Sequence, residues 1–169
     1  MLKNVSAWDL KISLWMQTQN HKPLKYVLDY VTWIGYPPQG FVFALFLFLV
    51  EKRISFYFGI VSLFAFVYLI KGLTKRPRPA TIHNIRISHR MKSASFPSSH
   101  CALFTYIFGY LIYLVNIGPL PPLPALTLTL TLTILILLVG PSRVYRGEHW
   151  ASDTLAGYSL GLIWLYLFL

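Results

Sequence analysis

Negative charge is scarce in this chain, and so is charge of any sign. Only 12% of the 169 residues are charged, and five of them are Asp or Glu. A soluble domain carries about 25% charged residues. A water-surrounded globule is therefore excluded unless the apolar runs prove too short to span a bilayer. The few carboxylates form no set suited to Mg²⁺. A single cysteine, Cys101, excludes an intramolecular disulfide and any Cys-based metal site. A signal-peptide core is missing as well, because M-L-K-N-V-S-A-W-D-L-K carries charges where an apolar centre should lie.

What the chain has instead is apolar length, with 56% hydrophobic residues. Five candidate spans read as residues 36–50, 54–73, 98–115, 123–139 and 152–169. Several approach or reach the roughly 20 residues that a bilayer needs. The fourth contains L-T-L-T-L-T-L-T, whose period of two reads as a β-strand in water. A lone strand in lipid leaves its backbone unpaired, so a helix is expected, with Thr hydroxyls bonding back to the preceding turn. Residues 1–35 carry two amphipathic stretches, W-D-L-K-I-S-L-W-M-Q and L-K-Y-V-L-D-Y-V-T-W-I-G. Their Trp, Tyr and Lys suit helices in the headgroup region, or helices packed on the bundle. The expected fold is all-α, a polytopic membrane helix bundle of about five transmembrane spans. It forms one domain over residues 1–169, with an N-terminal interfacial segment over 1–35 and the site-bearing bundle over 36–169.

Positive charge is abundant and clustered. Of fifteen Lys and Arg, seven lie between residues 71 and 92. Such clustering calls for an anionic partner. No nucleic-acid-binding pattern accompanies it, so a membrane anion is expected and no nucleic acid. The loop after the second span and the segment after the fourth are two crossings apart and emerge on one face. Lys52 and Arg53, in the loop between the first two spans, favour the inner side for that loop and the outer side for the polar face; the cations of residues 71–92 favour the opposite, unless they serve an anion site and are discounted.

Three clusters meet on that face. K-G-L-T-K-R-P-R-P supplies Lys71 and Arg78 as fixed cations. S-F-P-S-S-H places Ser98, Ser99 and free helix N–H groups as an anion cradle, with His100 aimed at the same anion. The bland reading of Ser98 is a helix cap. In S-R-V-Y-R-G-E-H-W-A-S-D, His149 and Asp153 are four apart, on one face of a helix opening the last span. A carboxylate there holds one ring nitrogen protonated and frees the other as nucleophile or base. Arg143 adds a planar fork for an oxyanion. Together these residues specify phosphoryl transfer without metal or cofactor, the charge on the transferring group being met by Lys and Arg. Elsewhere, Cys101 is expected to pack within its helix and Glu148 to form a solvated pair with Arg146. Tyr145 and Trp150 are each expected to line the site or to join the interfacial aromatic belt, with the belt favoured for Trp150.

Lys71-x6-Arg78-Pro79, Pro97-Ser98-Ser99-His100 and Ser142-Arg143-x5-His149-x3-Asp153 resemble, in order and spacing, the three signature motifs of the type-2 phosphatidic acid phosphatase superfamily. The resemblance implies that His149 attacks phosphorus to form a phosphohistidine and that Asp153 orients it. It implies that His100 protonates the leaving oxygen and then helps activate water. Lys71, Arg78, Ser98, Ser99 and Arg143 would hold the phosphoryl oxygens. The substrate class it implies is a membrane lipid phosphate or pyrophosphate. Undecaprenyl diphosphate and lipid A phosphate suit the surplus of cations, with phosphatidylglycerol phosphate and phosphatidic acid open. The expected location is a bacterial inner membrane with the site facing outward. Ser99 stands where the family usually has glycine, and a position needing φ > 0 would strain it. Two other readings follow: a lipid-binding or lipid-moving protein without turnover, and a vanadate-dependent peroxidase, whose known members are soluble.

Overall fold

The computed structural model describes residues 5–19, 21–34, 53–82 and 93–169. The described residues form helices and no strands. These are α1 (Ala7–Thr18), α2 (Lys22–Ile34), α3 (Ile54–Thr74), the single turn α4 (Pro79–Ile82), α5 (Ser99–Ile117), α6 (Pro122–Tyr145) and α7 (Ala151–Phe168). The expected span at 36–50 lies outside the described residues. The stretch starting at Ile54 and the helices Ser99–Ile117 and Pro122–Tyr145 are long and apolar enough to cross a membrane. α7 coincides with the last expected span, but its first turn is polar, with Ser152, Asp153 and Thr154.

The Leu-Thr repeat is helical, for the reason its chemistry dictates. Thr127 donates its hydroxyl to the Leu123 carbonyl at 2.9 Å, and Thr131 and Thr133 donate to Thr127 and Thr129 at 2.8 Å. These three hydroxyls are satisfied one turn back, and the fourth, that of Thr129, accepts from Asn116 Nδ2 at 3.0 Å. α6 then continues past residue 139 to Tyr145, six residues beyond the expected end. Pro141 should interrupt it, since proline has no N–H and its ring clashes with the carbonyl four residues back. The Tyr158 hydroxyl, from α7, fills the gap. It accepts from the Gly140 N–H at 2.7 Å and donates to the Ile136 carbonyl at 2.9 Å, with the Leu137 carbonyl at 3.2 Å. Only glycine permits this approach, because a Cβ at Gly140 would sit 2.5 Å from the tyrosine oxygen.

α5 is the central helix. One core cluster joins it to α3 through Phe56, Leu63, Val67, Ala102, Tyr106 and Tyr110. Another joins it to α2 and α6 through Val31, Phe104, Phe108, Leu132 and Val139. Cys101 is fully buried in this second cluster. Against α7 the seam is made of small residues. Cβ atoms at Gly157 and Gly161 would lie 2.5 Å from the Ser98 carbonyl oxygen and from Thr105 Cβ. Close backbone approach of this kind is how helices associate where lipid gives no hydrophobic drive between them. It sets the N-terminus of α5 against the N-terminus of α7.

α1 and α2 pack on the bundle and also present aromatic residues outward. α2 buries Leu28, Val31 and Thr32 and exposes Tyr26, Tyr30 and Trp33. α1 is inverted relative to a water-soluble helix: it buries Asp9 and Ser13 while exposing Trp8, Leu14 and Trp15. Three polar contacts tie these helices to the end of α6. Gln17 Nε2 donates to the Tyr145 carbonyl at 2.6 Å, Thr32 to the Ser142 hydroxyl at 3.0 Å, and Arg146 to the Asp29 carboxylate at 2.7 Å.

Candidate active site

The site is assembled at helix ends. α3 delivers Lys71 in its last turn, α6 delivers Arg143 in its last turn, and α5 and α7 begin there with Ser98 and Asp153 near their N-termini. Arg143 is thus a helical residue and not part of a loop, because Tyr158 carries α6 past Pro141. After α6 the chain reverses through Gly147 at φ 67°, a left-handed conformation that glycine adopts without strain. The Gly147 carbonyl accepts from Ala80 N–H at 3.1 Å, which ties this turn to the segment carrying Arg78.

His149 sits just before α7 rather than on it. Trp150 is the N-cap residue, and the Asp153 carboxylate folds back to accept its backbone N–H at 2.8 Å. The pair expected one turn apart on a helix face therefore meets through a capping geometry. Nδ1 of His149 lies 3.6 Å from Asp153 Oδ2, with side-chain exposures of 1% and 0%. Nε2 faces the opposite way, 3.4 Å from Arg78 Nη1. One ring nitrogen thus looks at a carboxylate and the other at a cation. Burial, and then the charges of Arg78, Arg143 and Lys71, hold the imidazole well below its ordinary pKa, while a backbone contact to Ser95 opposes this weakly. At neutral pH the ring is uncharged and Nε2 or Nδ1 keeps a free lone pair.

The cations are fixed by backbone carbonyls. Lys71 Nζ donates to the Ala94 carbonyl at 2.9 Å and reaches that of Ser95 at 3.4 Å. Arg78 donates to the carbonyls of Ser93 at 2.9 Å and Glu148 at 2.6 Å, and to the Ser93 hydroxyl at 3.0 Å. Lys71, Lys75, Arg76 and Arg78 are among the residues lining a cavity of about 550 Å³. Ser98 caps α5, its hydroxyl accepting from Cys101 N–H at 3.4 Å, while its own N–H donates to the Asp153 carbonyl at 3.0 Å. Ser99 opens the helix and His100 follows it, both half-buried. Ser99 needs no left-handed backbone, since Lys75 is the only non-glycine residue with positive φ among those described. The serine is thus accommodated without strain.

Other residues stand apart from their expected roles. Glu148 is 2% exposed and no solvated partner of Arg146. Its carboxylate contacts the Arg143 guanidinium on one side and takes Arg146 Nε at 3.1 Å on the other. Trp150 is fully buried, with its indole N–H on the Pro77 carbonyl at 2.9 Å, so it walls the site and does not belong to an interfacial belt. Two functional candidates are absent from the expected site: Asp9, and Arg76, which the sequence offers only as added positive charge in the loop after the second span. Arg76 contacts Asp153 Oδ1 through Nη1 and Asp9 Oδ2 through Nη2, the latter at 2.7 Å. Among the described residues no group of three or more His, Cys, Asp or Glu is placed to hold a metal ion.

The fold is similar to that of a transmembrane PAP2-type phosphatidylglycerolphosphate phosphatase from Bacillus subtilis. The TM-score is 0.79 at 24% identity, covering 95% of this chain and 82% of that one. It is equally similar to LpxE from Aquifex aeolicus, with a TM-score of 0.80 at 21% identity over 99% of this chain and 98% of that one. No curated protein sequence matches the chain. A family model matches residues 52–169, the segment holding all three motifs, and on that ground the chain belongs to the PAP2 superfamily.

Proposed function

We propose that this integral membrane protein is a metal-independent lipid phosphatase that works through a phosphohistidine. The observation that carries the proposal is the orientation of His149, with Nδ1 towards Asp153 and Nε2 towards Arg78. In the proposed first step, Nε2 forms a bond to phosphorus as the bond to the lipid oxygen breaks. His100 gives its proton to that oxygen. The Nδ1 proton stays beside Asp153, whose charge stabilises the positive ring of the phosphohistidine. In the second step His100 takes a proton from water, the water oxygen bonds to phosphorus, and the N–P bond breaks to release phosphate. Lys71, Arg78 and Arg143 meet the charge on the phosphoryl oxygens, with Ser98 and the Ser99 N–H assisting.

The substrate class is a lipid phosphate or diphosphate. A lipid can keep its tail in the bilayer while its headgroup reaches a site built at helix ends. Lys71, Lys75 and Arg78, which line the cavity, favour a charge-rich headgroup such as undecaprenyl diphosphate or lipid A phosphate. The Bacillus neighbour's name adds phosphatidylglycerol phosphate to the panel. The proposed location is the inner membrane with the site facing the periplasm, because the charges of Lys52 and Arg53 suit a cytoplasmic loop.

The test is phosphate release by purified protein from these lipids and from phosphatidic acid, with EDTA present and His149→Ala as control. Release that survives EDTA and is lost by at least about 1,000-fold in the variant is the expected outcome. Full activity in His149→Ala would sink the mechanism. Binding without release would favour a lipid-binding protein instead, a reading weakened by the unstrained backbone at Ser99.

A further inference from the structure

We infer that Asp9, on the amphipathic N-terminal helix, is a positioning residue for the nucleophile, acting through Arg76 and Asp153; this rests on the phosphohistidine reading above. Asp9 lies outside the segment that the family model matches. It is fully buried on a helix whose Trp8, Leu14 and Trp15 are exposed. A carboxylate has no place inside a protein unless it is paired and hydrogen-bonded. Asp9 is both. Its Oδ1 accepts the Ser152 backbone N–H at 2.8 Å. Its Oδ2 accepts the Ser152 hydroxyl at 2.7 Å, Arg76 Nη2 at 2.7 Å and the Ser6 hydroxyl at 2.9 Å. These donors outweigh burial, which alone would raise its pKa, and hold it below the ordinary value.

The arrangement is a row of alternating charge. Asp9, Arg76 and Asp153 read minus, plus, minus, and His149 Nδ1 stands at the far end, 3.6 Å from Asp153. The guanidinium is a rigid plane with donors in fixed directions. Two carboxylates at two different nitrogens fix its rotation, and Ser152 Oγ at 2.7 Å from Nη1 pins the same edge. Asp153 Oδ1 is thereby held on Arg76, which leaves Oδ2 facing the imidazole. Without Asp9 the guanidinium has one charged anchor and Asp153 alone must neutralise it. The negative field that stabilises the ring as Nε2 bonds to phosphorus is then weaker. The loss falls on the transition state and not on phosphate binding, which Lys71, Arg78 and Arg143 provide.

The experiment is steady-state kinetics on the full chain in detergent, using the best lipid of the panel, for Asp9→Asn, Asp153→Asn and the double variant. Asp9→Asn is expected to lower kcat by about 10- to 100-fold with KM within about threefold. In the Asp153→Asn background the same change is expected to lower kcat by less than about threefold, since its path to His149 is already cut. Wild-type kcat in Asp9→Asn overturns the inference, and so does a loss of equal size in both backgrounds. If Asp9→Asn does not fold, Arg76→Lys serves. It keeps the charge, but one ammonium cannot take the two carboxylates through separate nitrogens, so the same kcat loss is expected and wild-type kcat overturns the inference. Wild-type protein that releases no phosphate from any lipid refutes the proposed function itself. Active wild type, inactive His149→Ala and unaffected Asp9→Asn refute this inference alone.

Discussion

Gly157→Ala inserts a single methyl group where the fold has no room for it. The new Cβ would lie 2.5 Å from the Ser98 carbonyl oxygen and 2.8 Å from Cys101 Cβ. An ordinary carbon–oxygen contact is about 3.3 Å, so the two helices must separate by about 0.8 Å. Neither obstacle can rotate away, since one is backbone and the other is the first carbon of a side chain. The shift is delivered to the start of α5, where Ser98, Ser99 and His100 sit and where Ser98 N–H holds the Asp153 carbonyl. Overpacking costs about 1–3 kcal/mol, partly offset by the roughly 0.5–1 kcal/mol that alanine gains over glycine in a helix. Misplacing a catalytic group by about 1 Å costs about 100-fold in rate. Activity should therefore fall far more than stability, and kcat/KM with a melting curve in detergent reads both. Gly109→Ala is the control on the same helix pair. Its Cβ also meets an atom at 2.5 Å, but that atom is Leu165 Cδ2, the end of a flexible side chain whose next atoms lie at 3.6 Å. It should keep kcat/KM within about threefold. Gly157→Ala with wild-type kcat/KM would refute the claim that this seam sets the site.

Two further predictions concern charge. His149 is buried neutral with a depressed pKa, whereas in the unfolded chain it takes a proton near its ordinary value. Protonation therefore favours the unfolded state as pH falls below about 6.5, by up to about 1.4 kcal/mol per pH unit. Melting temperature should drop between pH 6.5 and 5 in the wild type and drop less in His149→Ala; parallel curves would argue against a neutral buried ring. Glu148→Gln leaves the buried Arg143 guanidinium without its carboxylate, and losing one partner of a buried pair costs about 3 kcal/mol. A drop in melting temperature on the order of 10 °C is expected for a chain of this size, and an unchanged value would mean that Glu148 contributes little.

Most of the candidate site was legible in the sequence because its spacing is local. Lys71 and Arg78 flank one helix end, Ser98 caps the next, and Arg143, His149 and Asp153 fall within eleven residues. The helical nature of the Leu-Thr repeat was legible too, once lipid and not water was taken as the solvent. What was not legible depends on contacts between distant segments. Whether α6 stops at Pro141 is decided by Tyr158, seventeen residues on. His149 leaves the helix because Asp153 prefers the cap at Trp150. Asp9 finds Arg76 across 67 residues, and no periodicity announces that the polar face of α1 points inward. One signal was available. With five carboxylates in the chain, each is a candidate for a charged partner, and the four among the described residues, Asp9, Asp29, Glu148 and Asp153, all pair with arginine.

The Tyr158 hydroxyl at the Pro141 break does what a bound solvent molecule does in a soluble protein. It takes one hydrogen bond and gives another across a gap in the backbone. Here the chain carries its own, covalently attached to the neighbouring helix. Arg143 and Asp153 then ride on a single welded pair of helices, α6 and α7.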